Sequence, residues 1–146
     1  MILSGYDVER YVQSGKLIFE PALTEIQYQQ NGVDLVLDDV EGHPARLHGF
    51  HLASTRERII VPNDLMAFVE LRSTWARQGL LIPPTVVDAG FIGQLTLEVV
   101  AMRDIPTPYG QRFAHLIFAQ LLRPTSPYCG KYQGQSGITP AISDQE

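Results

Sequence analysis

The chain has a single cysteine, Cys129, in 146 residues. Neither an intramolecular disulfide nor a multi-thiolate zinc site can therefore form. Basic residues are few: 11 Lys and Arg against 16 Asp and Glu give a net charge of −5. They form no sustained basic stripe, which argues against duplex nucleic acid as a partner. A phosphorylated small molecule stays open, because it needs only a local cluster of cations. No apolar run approaches the roughly 20 residues of a membrane-spanning helix. The start, MetIleLeuSerGlyTyrAspValGluArg, lacks the long apolar core of a signal peptide. The expectation is a soluble, cytoplasmic domain that binds neither membrane nor nucleic acid. The Walker loop, GlyXSerXGly, HisGluXXHis, GlyXGlyXXGly and the zinc-deaminase pair of HisXGlu with ProCysXXCys are all absent. His43, His48 and His51 match no familiar ligand spacing, so they read as a surface loop and no metal site is assigned.

What is present suits one domain with a real core, since 45% of the residues are hydrophobic and 18% charged. Residues 4–14 read as a short helix, with Ser4 as N-cap, Asp7 and Glu9 in the first turns and Gly15 as the stop. Short β-prone runs follow at 33–37, 57–61, 66–71, 95–101 and 113–122. Turn chemistry separates them at 41–44, 62–64, 83–84 and 107–110. The last run is apolar on both alternating sets and reads as a strand buried on both faces. Many short strands with twelve glycines and ten prolines indicate an all-β sandwich or barrel. The polar stretch 123–146 is rich in Gly, Pro, Ser and Gln, and by composition alone is a loose tail.

Three segments carry candidate chemistry. ArgSerThrTrpAlaArg at 72–77 puts two guanidinium forks and two hydroxyls within six positions, a set suited to gripping a polyphosphate. Asp88 ends a strand at a turn, and alone reads as a turn residue. Glu98 sits inside LeuThrLeuGluValValAla, where it is either an outward strand residue or a partly desolvated general base and acid. GlyLysTyrGlnGlyGlnSerGly at 130–137 is either a flexible linker or a segment that drapes over a ligand, with Lys131 toward phosphate. The residues leave both pairs of readings open.

Taken in order, these segments resemble the dCTP deaminase branch of the dUTPase/dCTP deaminase superfamily. MetIleLeuSer at 1–4 and SerGlyLysLeu at 14–17 resemble its N-terminal helix. AsnGlyValAspLeuValLeu at 31–37 resembles its first motif, and LeuAlaSerThrArgGlu at 52–57 the strand before the active site. GluLeuArgSerThrTrpAlaArgGlnGlyLeu at 70–80 resembles the phosphate-binding segment. ValAspAlaGlyPheIleGlyGlnLeuThrLeuGlu at 87–98 resembles the catalytic segment, and GlyLysTyrGlnGlyGlnSerGlyIleThrPro at 130–140 the closing tail. The resemblance implies a distorted jelly-roll with a short N-terminal helix, in one domain over 1–146 whose tail 123–146 closes over the active site. It implies a homotrimer with nucleotide sites between subunits, magnesium carried on the nucleotide phosphates, and no zinc. It assigns Glu98, Ser73 and Arg77 to catalysis. It assigns Arg72, Ser73, Thr74, Lys131 and Gln135 to phosphates and base, and Asp88 to the deoxyribose. Backbone groups of Thr96, Leu97 and Glu98 would read the cytosine edge, and Tyr128 corresponds to a family tyrosine.

The implied reaction is deamination of dCTP to dUTP. The same scaffold also hydrolyses dUTP, with an aspartate in the position of Asp88 activating water. Plain dUTPases lack an acid like Glu98 and a second arginine like Arg77, so deamination is favoured. AspAlaGlyPhe at 88–91 resembles the bifunctional deaminase/dUTPases, which makes that activity the alternative. A non-catalytic nucleotide-binding trimer is the remaining reading, although a binder needs no base such as Glu98. The chain departs from the pattern by shorter segments at 38–50 and 78–87, with Pro83-Pro84 in the second, and by His115 where a Gln is common.

Overall fold

A computed structural model describes residues 1–144; Gln145 and Glu146, the end of the expected tail, lie outside the described residues. Helix α1, Gly5–Gln13, forms where the caps predict it. Ser4 Oγ accepts from the Asp7 N–H at 3.2 Å, and Asp7 Oδ2 accepts from the Ser4 N–H at 3.1 Å. Short strands β1 (Ile18–Glu20) and β2 (Tyr28–Gln29) flank a 3-10 turn at Glu25–Gln27. The long strands are β3 (Gly32–Val40), β4 (Arg46–Ile60) and β5 (Leu65–Leu71). A one-turn helix α2, Ser73–Ala76, and two short strands, β6 (Leu80–Leu81) and β7 (Thr85–Val87), lead into β8 (Ile92–Pro106) and β9 (Arg112–Gln120).

The strands form one curled antiparallel sheet in the order β6-β8-β4-β3-β9-β5-β7, with β1 paired to β4 and β2 to β3. This is the expected all-β, distorted jelly-roll architecture with its short N-terminal helix. Its core gathers alternate residues of the long strands, among them Leu35, Leu37, Leu97, Phe113, Leu116 and Phe118. Among the described residues no helix is long and apolar enough to cross a membrane.

Two local expectations need correction. The β-prone run is 57–61 and the resemblance adds a strand at 52–57, but β4 begins at Arg46 and pairs with β8 from Arg46↔Pro106 to Ile60↔Ile92. His48 and His51 therefore stand on a strand, where His51 Nε2 lies 2.9 Å from the His48 carbonyl oxygen. The partner strand supplies a ladder that His- and Gly-rich local composition does not advertise. Strand β9 is not buried equally on both faces: Leu116 and Phe118 are fully buried, while His115, Ile117 and Ala119 are only partly covered.

Apolar side chains remain on two outer faces. One carries Phe50, Val100 and Leu81, aligned across β4, β8 and β6, with Met102 beside them. The other carries Phe68, aligned with Val86 on β7 and Ile117 on β9. Phe50 and Val86 also border the cavity described next.

Candidate active site

The cavity, about 500 Å³, is floored by β8 and walled by β4, β7, the turn after β7 and the tail. Strand alternation puts Leu95, Leu97 and Val99 into the core and leaves Thr96, Glu98 and Val100 half-buried on the other face. Glu98 thus points away from the hydrophobic core, as a surface strand residue does, and into the cavity. Asp88 reaches the same cavity from the end of β7, where its carbonyl accepts from the Phe91 N–H at 3.1 Å to close a turn.

The tail is pinned along β8. Its backbone bonds run from the Tyr128 N–H to Ala89 O at 2.9 Å, from the Gly134 N–H to Ile92 O at 2.7 Å, and from the Gln94 N–H to Gln135 O at 3.0 Å. Gln135 Nε2 donates to Gln94 O at 2.7 Å, and the Thr139 N–H donates to Thr96 Oγ1 at 3.0 Å. Gly90 (φ 80°) makes this approach possible: a Cβ there would lie 2.5 Å from Pro127 Cα. Gln133, which sequence reasoning passed over, is the central pin. Its Oε1 accepts from the Ile92 N–H at 2.7 Å, and its Nε2 donates to Gly90 O at 2.9 Å and Tyr128 O at 2.8 Å. Nothing in the sequence separates Gln133 from Gln135.

Six of the sequence-derived candidates therefore meet in one cavity: Asp88, Thr96, Leu97, Glu98, Tyr128 and Gln135. The Leu97 side chain is core, so only its backbone faces ligand chemistry. Arg72, Ser73, Thr74, Arg77 and Lys131 are not among the lining residues. Lys131 lies on the tail with Nζ 2.7 Å from Asp144 Oδ1, a hydrogen bond that raises its pKa. Ser73 and Thr74 on α2, and Arg77 at its C-cap, are exposed.

α2 is nonetheless held firmly. The Arg72 N–H donates to Phe113 O at 3.0 Å, and Trp75 Nε1 donates to Arg112 O at 2.8 Å. Arg72 Nε lies 3.1 Å from Asp34 Oδ2, an aspartate with 2% side-chain exposure. Asp34 was also missed as a functional candidate. The available signal was the same as for Glu98, one carboxylate inside the apolar run ValAspLeuValLeu. Behind it, Glu57 is fully buried, with Gln27 Nε2 donating to its Oε2 at 2.7 Å and the Val36 N–H to its Oε1 at 3.1 Å. Burial pushes its carboxyl above the ordinary range despite these bonds.

The described lining thus contains two carboxylates and no Lys or Arg. It can do acid–base chemistry on a polar ring, but a polyphosphate needs cations from elsewhere. Residues 42–121 match the family described as dCTP deaminase-like. A dCTP deaminase of Sulfurisphaera tokodaii is 44% identical over 95% of this chain and 91% of its own length. The chain belongs to the dCTP deaminase-like family. Another similar relative is named a probable deoxyuridine 5'-triphosphate nucleotidohydrolase, from Sulfolobus islandicus rod-shaped virus 1, and is 46% identical over 99% of this chain and all of its own. In structure the chain is similar to the 2'-deoxycytidine 5'-triphosphate deaminase of Agrobacterium tumefaciens. The TM-score is 0.68 at 18% identity, over 82% of this chain and 47% of that one, so the likeness bears on the dCTP deaminase-like fold alone.

Proposed function

We propose that this chain catalyses zinc-independent hydrolysis of dCTP to dUTP and ammonia. The observation that carries the reading is Glu98, a carboxylate on the cavity side of an otherwise apolar strand, within a family described as dCTP deaminase-like. Water adds to C4 of the cytosine ring while Glu98 accepts its proton. Glu98 delivers that proton to N3, then takes the remaining hydroxyl proton of the tetrahedral centre and passes it to the amine, so that C4=O forms as C4–N4 breaks and ammonia leaves. Between the tail bonds at Gln94 and the short cover of β6 at Val100, alternation turns the backbone of Thr96 and Glu98 to the open edge of β8. Those amide and carbonyl groups suit the hydrogen-bonding edge of a pyrimidine. Asp88 takes the deoxyribose hydroxyl, and Tyr128 and Gln135 cover the nucleotide.

The cations and the water-orienting groups come from a second copy. Ser73 and Arg77 would face the water and developing tetrahedral centre, and Arg72, Ser73 and Thr74 the phosphates. Lys131 joins them once phosphate replaces Asp144. Two distinct apolar faces bordering one cavity are what a closed ring needs, because each copy then gives one face to each neighbour; we infer a homotrimer. Among the described residues, no three His, Cys, Asp or Glu side chains gather into a metal cage. Magnesium would be carried on the nucleotide phosphates and offset their charge. A deoxynucleotide substrate sets the cytoplasm as the expected compartment.

A second reading, hydrolysis of dUTP to dUMP and pyrophosphate in the same site, is favoured by Asp88 sharing the cavity with Glu98 and by the viral relative's name. One assay separates them: incubate the full chain with dCTP and magnesium, then resolve ammonia, dUTP, dUMP and pyrophosphate. Ammonia with dUTP supports deamination alone, and ammonia with dUMP and pyrophosphate supports both activities. Pyrophosphate from dUTP with no ammonia from dCTP would overturn deamination.

A further inference from the structure

Arg72, the first cation of the α2 segment, is not a free anion grip. Asp34 stands behind it on β3, with Oδ2 3.1 Å from both Arg72 Nε and Arg112 Nη1, and Oδ1 2.9 Å from His115 Nδ1. Its side chain is 2% exposed, so the carboxylate is a buried charge that persists only because it is paired. The same node fixes the rest of the guanidinium, because Arg72 Nη1 donates to Arg112 O at 3.2 Å, the carbonyl that also takes Trp75 Nε1.

With Nε turned to Asp34 and Nη1 to that carbonyl, Nη2 is, among the described residues, the corner left for a ligand. One carboxylate against two guanidiniums also leaves a positive charge uncompensated, in a chain whose net charge is −5. The side chain is 25% exposed, so it is not closed off from a ligand. We propose that Asp34 is the positioning residue of the nucleotide site: through its ion pair it aims Arg72 at the phosphates, although it touches no nucleotide itself. This rests on the nucleotide-binding reading above and extends it to the residue that sets the direction of the grip.

The test is a double-mutant cycle on binding, read by calorimetric titration of the full chain with dCTP and magnesium. Asp34→Asn and Arg72→Ala should each weaken binding roughly tenfold, and the double variant should be no weaker than Arg72→Ala within about twofold. Asp34→Asn binding as wild type does, or losses that multiply in the double variant, would overturn the proposal. His115→Gln removes another partner of the same carboxylate and should change affinity by less than about twofold. An equal loss there would make Asp34 merely structural and overturn the proposal. If melting shows that Asp34→Asn does not fold, Arg72→Lys decides. It keeps the charge without the fork, so roughly tenfold weaker binding is expected and wild-type affinity overturns the idea. Wild type that binds no nucleotide sinks the proposed function and this proposal with it. Wild type that binds without releasing ammonia leaves the cycle readable.

Discussion

The cavity wall and the α2 segment make opposite use of charge. On the wall, Glu98 and Asp88 face an open volume beside Phe91, Leu95 and Tyr128. At α2, the N-cap Arg72 is tied to a buried aspartate, and Ser73, Thr74 and the C-cap Arg77 are exposed on or beside a helix of four residues. In the proposed reaction the wall would supply the group that moves protons, and α2 the groups that bind phosphate and orient water. Within one chain the cavity lining contains none of the α2 residues. On that proposal the chemistry would arise where one copy's wall meets another's α2.

The harshest test of the wall is Glu98→Gln. It keeps the side chain's shape and removes the proton acceptor, so ammonia release from dCTP should fall by about 10²-fold to 10⁴-fold. Nucleotide binding, read by calorimetry, should stay measurable. Substantial turnover in this variant would move the base elsewhere. The proposed division of labour between copies is tested next, by mixing two chains expected to be inactive, Glu98→Gln and Arg77→Ala. Each site would draw its wall and its α2 from different chains of an equal mixture. About a quarter of the sites should then be intact, and ammonia release should return to about a quarter of the wild-type rate after subunit exchange. Mixed oligomers that form yet stay inactive would place both groups in one chain's site.

These halves were not equally legible in sequence. The wall could be read locally: period-two alternation over 95–101 flags Glu98 as the odd residue, and strand geometry then dictates where it points. The helix at the N-terminus was equally legible, because a capping box is written within four residues. α2 was legible as residue types only. Its support comes from Asp34 and Arg112, 38 and 40 positions away from Arg72, and no local rule links them. The tail was ambiguous for the same reason. Its composition matches a loose linker, and long-range bonds to residues 89–96, those of Gln133 and Gln135 among them, order it. The short strands β1, β2 and β6 escaped notice because two or three residues carry no period, and each exists by pairing with a longer neighbour.

A smaller effect sharpens the tail's part in the wall. Gly90→Ala puts a methyl against Pro127 at a φ of 80°, so tail and turn cannot both keep their places. Strain of about 1–3 kcal/mol should release the tail while the sheet stays folded. The expected outcome is a KM for dCTP raised several-fold and faster proteolytic cleavage within 126–140. Unchanged KM and protection would mean that the tail is not part of the binding surface.

The smallest expected effect lies behind α2. Gln27 Nε2 donates both to Glu57 and to the carbonyl of Asp34, at 2.7 and 3.0 Å, so Glu57 braces the strand segment that carries the α2 anchor. Its carboxyl pKa is raised above the ordinary 4.5 by burial, opposed by the hydrogen bonds from Val36 and Gln27 and by Arg56. The native state therefore holds this proton more tightly than the unfolded chain does. Its contribution is full below about 4.5 and is lost as pH rises through the raised native value. Glu57→Gln removes the titration. At about pH 4 it should cost about 1 kcal/mol, since the buried amide gains a donor that needs an acceptor. As pH rises the wild type should lose stability relative to the variant, and the gap should narrow or reverse. Urea unfolding of both proteins across that range checks the sign. A gap that widens with rising pH would mean that the charged carboxylate is the stabilising form, and that the brace behind Asp34 is an ion and not a neutral acid.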